Sequence, residues 1–163
     1  MADLLHLAHR LLEVVRARPL RPAEQARAAA LLRPQERPLF WQQTPADQRH
    51  GWESAARVMA RTPARRDLAR AALLHDVGKG IVRLSVPGRI LAGVLSLLHL
   101  PAPGALGAYL AHGPCGAEAL QAAGAEPVVV AYARHHHRPR PPAVPTGDWD
   151  LLARADRLSK PGR

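Results

Sequence analysis

Strong helix formers dominate this chain, and no stretch of it alternates apolar and polar residues long enough to predict a β-strand. Alanine and leucine favour helices, whereas the β-branched residues that favour strands are scarce. Two helix starts are marked clearly, because Thr44 before Pro45 and Thr62 before Pro63 each place a hydroxyl N-cap ahead of a first-turn proline. The sequence therefore predicts an all-helical protein of about seven or eight helices.

The chain has 163 residues, which is enough for a single domain with a buried core. Hydrophobic residues make up 47% and charged residues 22% of the chain, which is typical of a folded globular protein and excludes a disordered one. We therefore expect one domain over residues 1–163. Near its start, Leu4, Leu11 and Val15 fit one face of a helix.

Cysteine content and apolar runs bear on the compartment. Cys115 is the only cysteine, so no internal disulfide can form, and we expect a cytoplasmic protein. The first residues lack the pattern of a secretory signal. The most apolar run, residues 90–100, has about half the length of a membrane-spanning helix and ends at Pro101. We interpret this run as a buried core helix and expect no membrane span.

The formal net charge of +10 raises the question of a nucleic-acid partner. Because alanine, leucine, arginine and proline are abundant throughout the chain, we interpret the charge as ordinary surface charge and consider nucleic acid an unfavoured partner. Residues 90–133 carry no lysine or arginine. Such a stretch would suit the interface of a homodimer, although a buried helical hairpin explains it equally well.

The strongest chemical signal is the segment His75-Asp76-Val77-Gly78-Lys79. Its His-Asp pair follows Leu68 and Ala72 at helical spacing, so it lies on or beside a buried face, where charged groups are costly unless they are compensated. A metal ion would compensate them. Neighbouring helical side chains point about 100° apart, so both reach one ion only in a cleft where other helices supply ligands. An isolated pair of this kind would more often cap a helix end.

Two distant residues extend this pair. His50 follows the N-cap Thr44 on the preceding helix, and Asp156 lies on the last helix beside the apolar Leu152 and Ala155. Together with the His-Asp pair they form a mixed nitrogen and oxygen set that suits Mn, Fe, Co, Ni, Zn or Mg.

The order His50, His75-Asp76, Asp156, with Gly78-Lys79 after the pair, resembles the HD superfamily of metal-dependent phosphohydrolases. Members are all-helical and hold metal through these four positions. The segment from His112 to Glu118 is also similar to an element of HDIG-type and HD-GYP-type members. The matched elements cover about residues 40–159, so the resemblance implies a compact HD-domain helical bundle with an N-terminal helical extension over residues 1–39.

A run of three histidines follows. His135 and His136 lie 23 and 24 residues after His112, a spacing similar to that of the paired histidines at the family's second metal position. The register is ambiguous by one, and His137 is the least favoured of the three. The resemblance therefore implies one or two divalent ions. It implies seven candidate ligands, which are His50, His75, Asp76, Asp156, His112, His135 and His136.

The chain also departs from the family pattern. Arg138-Pro139-Arg140 stands where cyclic-di-GMP phosphodiesterases have Gly-Tyr-Pro, which makes that substrate unfavourable. Gly113 and Cys115 replace residues that are often Pro and Glu in relatives. No glutamate lies one turn before His50, which argues against a third metal.

The resemblance implies hydrolysis of a phosphomonoester or phosphodiester in a small molecule, with a nucleotide favoured, by metal-activated water. Asp76 would orient or deprotonate the water, or bridge two ions, and Lys79 would contact the substrate phosphate. Arg83, Arg89 and Arg138 would either line the pocket or form a solvated basic rim. One alternative is a degenerate sensor that binds metal and nucleotide without turnover. Another is a basic nucleic-acid-binding protein whose affinity falls steeply with salt.

Overall fold

The computed structural model describes residues 18–159. The predicted helical face of Leu4, Leu11 and Val15 lies outside the described residues. Within them the chain forms, in order, α1 (Pro22–Leu31), α2 (Arg37–Trp41), α3 (Pro45–Arg61), α4 (Arg66–Leu74), α5 (Gly78–Ile81), α6 (Val86–Leu97), α7 (Gly104–Leu110), α8 (His112–Ala122), α9 (Pro127–His135) and α10 (Thr146–Ser159). No strand occurs between residues 18 and 159, so the predicted all-helical fold is confirmed.

One of the two marked helix starts is confirmed and the other is wrong. Thr44 caps α3, because its hydroxyl oxygen accepts a hydrogen bond from the backbone N–H of Asp47 at 3.3 Å. Thr62 instead ends α3: its backbone N–H and its hydroxyl both donate to the carbonyl of Val58. The next helix begins only at Arg66. The hydroxyl of Thr62 therefore satisfies a carbonyl of the last turn of α3 and does not cap a new helix.

Helix α4 forms the centre of the core. Every residue from Leu68 to Leu74 is buried, and α4 packs against α3, α9 and α10. A helix that is buried on all sides is surrounded by other helices rather than by water. The residues that directly follow it, His75 and Asp76, are consequently buried as well.

The prediction that residues 90–100 form a core helix is wrong. Ala92 is the only buried residue of α6, which packs mainly against α7. Leu91, Leu97 and Leu98 are 48%, 40% and 58% exposed. Because α4 and its neighbours already fill the core, the α6–α7 pair lies at the side of the bundle. Among the described residues no single helix is long and apolar enough to cross a membrane. The segments 66–81 and 86–97 reach the required length and hydropathy only when taken together, and a bend of 107° separates them.

Candidate metal centre

Four side chains from three parts of the chain converge where α4 ends. His50 comes from α3, His75 and Asp76 follow α4, and Asp156 comes from α10. Nε2 of His50 lies 2.9 Å from Oδ1 of Asp156 and 4.0 Å from Oδ2 of Asp76. Nε2 of His75 lies 3.5 Å from each of the same two oxygens. The juxtaposition that the sequence order predicted is therefore present, and we call these four side chains the first group.

A second group shares Asp76 with the first. Oδ1 of Asp76 lies 3.0 Å from Nε2 of His112, the first residue of α8, and 3.3 Å from Nε2 of His136, which directly follows α9. The two histidine Nε2 atoms are 3.3 Å apart. His137 belongs to the same group. Because Oδ2 of Asp76 faces the first group and Oδ1 the second, this carboxylate joins the two.

Each of the central histidines has its outer nitrogen held by a backbone carbonyl. In His75, Nδ1 lies 2.8 Å from the backbone oxygen of Ala72. In His112 and His136, Nδ1 lies 2.9 Å from the backbone oxygens of Tyr109 and Ala133, respectively. The Nδ1 of His50 lies 3.3 Å from the oxygen of Ser159. A carbonyl oxygen only accepts, so Nδ1 carries a proton in each of the four rings. The Nε2 atom of each ring faces the centre and, in a neutral ring, offers its lone pair there, as in metal-ligating histidines.

This arrangement fits a bound cation. The Nε2 atoms of His112 and His136 face each other and Oδ1 of Asp76, and a cation between them would offset the repulsion of their lone pairs in the neutral rings. Ligands bound at about 2.0–2.2 Å to one metal ion lie about 3 Å apart, which agrees with the separations observed here. The donor set of both groups, imidazole nitrogen with carboxylate oxygen, suits a divalent transition metal.

Two glycines permit the close helix contacts that bring the ligands together. A Cβ on Gly51, next to His50, would lie 2.6 Å from the carbonyl oxygen of Leu73 on α4. A Cβ on Gly78 would lie 2.0 Å from the carbonyl oxygen of His112. Gly78 does not adopt a positive φ, so no special backbone conformation requires a glycine there. Its role is to allow the close approach of α8.

The charges at the centre keep its ligands in the required protonation states. Burial would raise the pKa of Asp76, but the Lys79 ammonium and the neighbouring histidines together outweigh burial and hold that pKa well below its usual range. Burial lowers the pKa of His112, which favours the neutral ring that a metal ligand requires. Burial also opposes the charge on Lys79, but Asp76 and Asp47 raise its pKa overall. Its Nζ donates to Oδ2 of Asp76 at 2.5 Å.

A rim of polar residues borders Lys79 on the side of α6 and α7. Arg89 Nη1 donates to Oδ2 of Asp47 at 2.9 Å, and its guanidinium lies 5.4 Å from the centre of the Tyr109 ring. The Tyr109 ring is in turn 6.2 Å from the ring of His112, centre to centre. Of the three arginines considered from the sequence, Arg89 therefore lies beside the centre. The sequence pattern did not single out Asp47 or Tyr109 for the site, because the first indicates only a helix start and the second only packing.

Three predicted site residues are not brought into either group. His135 is the last residue of α9 and belongs to neither group, whereas His136 and His137, just past the helix end, each offer a nitrogen to the second group. Arg83 and Arg138 are exposed, and their side chains make no hydrogen bond or ion pair with residues 18–159. Which two histidines of the run lie in the second group depends on where α9 ends, and the sequence does not define that end to the residue.

The fold and the site define an all-helical protein with a buried His/Asp centre suited to a metal ion. The family model described as the HD domain matches residues 52–160 of the chain. The chain belongs to the HD-domain family, and the predicted resemblance is confirmed. The match begins two residues after His50, which therefore joins the first group from outside the matched range. No curated protein and no solved structure gives a significant match.

Proposed function

We propose that this protein is a metal-dependent phosphohydrolase that cleaves a phosphomonoester or phosphodiester of a small molecule, with nucleotides as the first class to test. The observation that carries the proposal is the pair of donor groups that share Asp76, each with its histidine Nε2 atoms directed inward. Membership of the HD family supports the same class of reaction. We further propose two divalent ions, one for each group.

The ligands of each ion follow from the two groups. His50, His75, Asp76 and Asp156 would hold the first ion, and Asp76, His112 and His136 the second, with His137 beside them. Such ions, when bound, lower the pKa of a coordinated water and withdraw charge from phosphorus. Because its pKa is held low, Asp76 would serve as a ligand of both ions rather than as a proton donor to the leaving group.

The remaining side chains at the centre serve to bind and orient the substrate. Lys79 is 20% exposed at its side chain and stays positively charged, so it can donate to a phosphate oxygen that reaches Asp76. Its salt bridge with Asp76 holds the ammonium at the edge of the centre in advance of binding. Preorganised positive charge of this kind stabilises the additional negative charge of the transition state.

The proposal is tested by measuring metal content and turnover on the full-length protein. Elemental analysis should find two equivalents of divalent metal per chain. A panel of p-nitrophenyl phosphate, bis-p-nitrophenyl phosphate and common nucleotides, with added Mn, Co or Ni, should show hydrolysis that a chelator abolishes. Asp76→Ala should abolish both hydrolysis and metal binding. Asp150→Ala is the matched control, because Asp150 is an exposed carboxylate of α10 away from the centre.

Other outcomes would favour the alternatives. Metal and nucleotide binding without product would support a degenerate sensor. Binding to nucleic acid that falls steeply with salt and ignores chelator would support the nucleic-acid partner. Absence of bound metal after incubation with each of these ions would contradict the enzyme and the metal sensor alike.

A further inference from the structure

The rim residue Arg89 has no role in holding metal and is not needed for Lys79 to keep its charge. Its side chain is nevertheless only 13% exposed, although arginine is rarely buried without a partner or a task. It comes from α6, where it lies one turn after the Ser85 N-cap.

Three contacts hold the Arg89 guanidinium in place. Nη1 donates to Oδ2 of Asp47 at 2.9 Å, Nε donates to the carbonyl of Leu84 at 3.3 Å, and the group faces the Tyr109 ring at 5.4 Å. Asp47 is itself held, because its Oδ2 also accepts from the hydroxyl of Thr44 at 2.6 Å. The guanidinium is therefore oriented before any ligand arrives, so little conformational entropy is lost on binding.

These contacts leave part of the guanidinium unused. Nη2 of Arg89 makes no hydrogen bond with any residue from 18 to 159, and it is not among their buried unsatisfied atoms. An arginine carries five N–H donors, and a terminal NH₂ that is open to solvent suits a phosphate oxygen. No carboxylate occurs between residues 77 and 117, the segment that carries Lys79, Arg89 and Tyr109. This segment therefore brings two positive charges to the site, where Asp76 and Asp47 orient them.

Arg89 and Lys79 contact different carboxylates and therefore occupy different positions in the site. Lys79 contacts Asp76 directly, whereas Arg89 contacts Asp47, whose carboxylate also acts on Lys79. A phosphate at the His/Asp centre is thus next to Lys79, and a second anionic group beyond it would meet Arg89. We infer that Lys79 and Arg89 form a subsite for a second phosphate linked to the one at the centre, so that the substrate carries two adjacent phosphate groups.

This inference rests on the proposed phosphohydrolase function and narrows its substrate class to phosphate esters that carry a diphosphate or a longer polyphosphate chain. The test is isothermal titration calorimetry of the full-length protein with inorganic phosphate and with methylenediphosphonate, which cannot be hydrolysed. Metal content is measured before and after each titration, so that chelation is not mistaken for binding. The wild-type protein should bind the diphosphonate at least about tenfold more tightly than phosphate, because it gains a charge-assisted hydrogen bond.

Three variants isolate the contribution of Arg89. Arg89→Gln should reduce the preference for diphosphonate to about twofold or less and leave the Kd for phosphate within about threefold of the wild-type value. Arg89→Lys should give an intermediate preference, because the ammonium keeps the charge and loses the fork. Arg61→Gln is the control: it removes the same charge at the exposed end of α3, about 16 Å along that helix from His50, and should preserve the preference.

The outcomes separate this inference from the function on which it rests. An unchanged preference in Arg89→Gln, or an equal loss of affinity for both ligands, would overturn the subsite while phosphate binding and turnover still support a phosphohydrolase. A wild-type protein that binds neither ligand and hydrolyses none of the panel would overturn both. Thermal melting of Arg89→Gln within a few degrees of wild type confirms that the loss is local.

Discussion

The substitution Gly78→Ala should dismantle the second donor group and leave the first one in place. The added Cβ would lie 2.0 Å from the carbonyl oxygen of His112, and ordinary contact at this position begins at 3.4 Å, so the oxygen has to retreat by about 1.4 Å. The Cβ would also lie 2.9 Å from the backbone nitrogen of Gly116, so the obstruction extends over the first turn of α8. Neighbouring backbone cannot relieve this clash by a change of rotamer.

The displacement is large compared with what a metal site tolerates. His112 is the first residue of α8, so its ring moves with its carbonyl, and ligand distances have to stay within about 0.2 Å of their ideal values. The 3.0 Å separation between His112 Nε2 and Asp76 Oδ1 would increase beyond hydrogen-bonding range. Overpacking of this kind typically costs about 1–3 kcal/mol in the free energy of unfolding, or roughly 2–12 °C in Tm for a chain of this size.

The assay combines elemental analysis with thermal unfolding. We expect Gly78→Ala to hold one equivalent of metal where the proposal expects two for the wild type, with Tm lowered by the stated range. The control is Gly147→Ala on α10, whose Cβ meets nothing within 4 Å and should leave metal content unchanged and stability equal or slightly higher. A Gly78→Ala protein with the metal content and Tm of the wild type would refute the claim that this glycine sets the approach of α8.

Three further predictions follow from the same reasoning about packing and charge. Gly51→Ala forces α3 away from the Leu73 carbonyl, so we expect elemental analysis to show loss of the first ion. Hydrogen bonds from Arg49 and Arg21 lower the pKa of Glu24 from 4.5 to about 2, so the folded state binds fewer protons than the unfolded state between these values. Stability should therefore fall as pH falls through this window, and denaturant titrations of Glu24→Gln should show a weaker decline. Leu98→Ser should change the free energy of unfolding by less than about 0.5 kcal/mol, whereas the buried Leu73→Ala should cost about 2–5 kcal/mol, because only the second leaves a cavity.

The parts of the site that the sequence predicts are those carried by order along the chain. His50, the His75-Asp76 pair and Asp156 occur in the order of the HD pattern, and the structure brings them together. The pattern does not determine which residues of the histidine run turn inward, because that depends on where α9 ends. His135 lies on the helix and is excluded for that reason.

The apolar run of residues 90–100 shows a different limit. Hydrophobicity predicts that a segment avoids water only if the core has room for it, and here α4, with every residue from Leu68 to Leu74 buried, already occupies the centre. The run therefore forms one helix of a lateral pair. Whether one apolar segment is buried depends on all the other apolar segments that pack into the same core. The hydrophobicity of that segment alone therefore does not predict its burial.

The rim shows why some site residues have no recognisable signal in the sequence. Asp47 stands three residues after Thr44, so its position is fully explained by the start of α3, where an acidic residue in the first turn is favourable. The same carboxylate also orients Arg89, 42 residues away. Because the first task already accounts for the residue, the second becomes visible only when α6 is placed beside α3. A residue whose local role already explains its position gives no sequence signal of a second role that depends on tertiary contacts. Here the largely buried guanidinium of Arg89 is the observation that reveals the second role of Asp47.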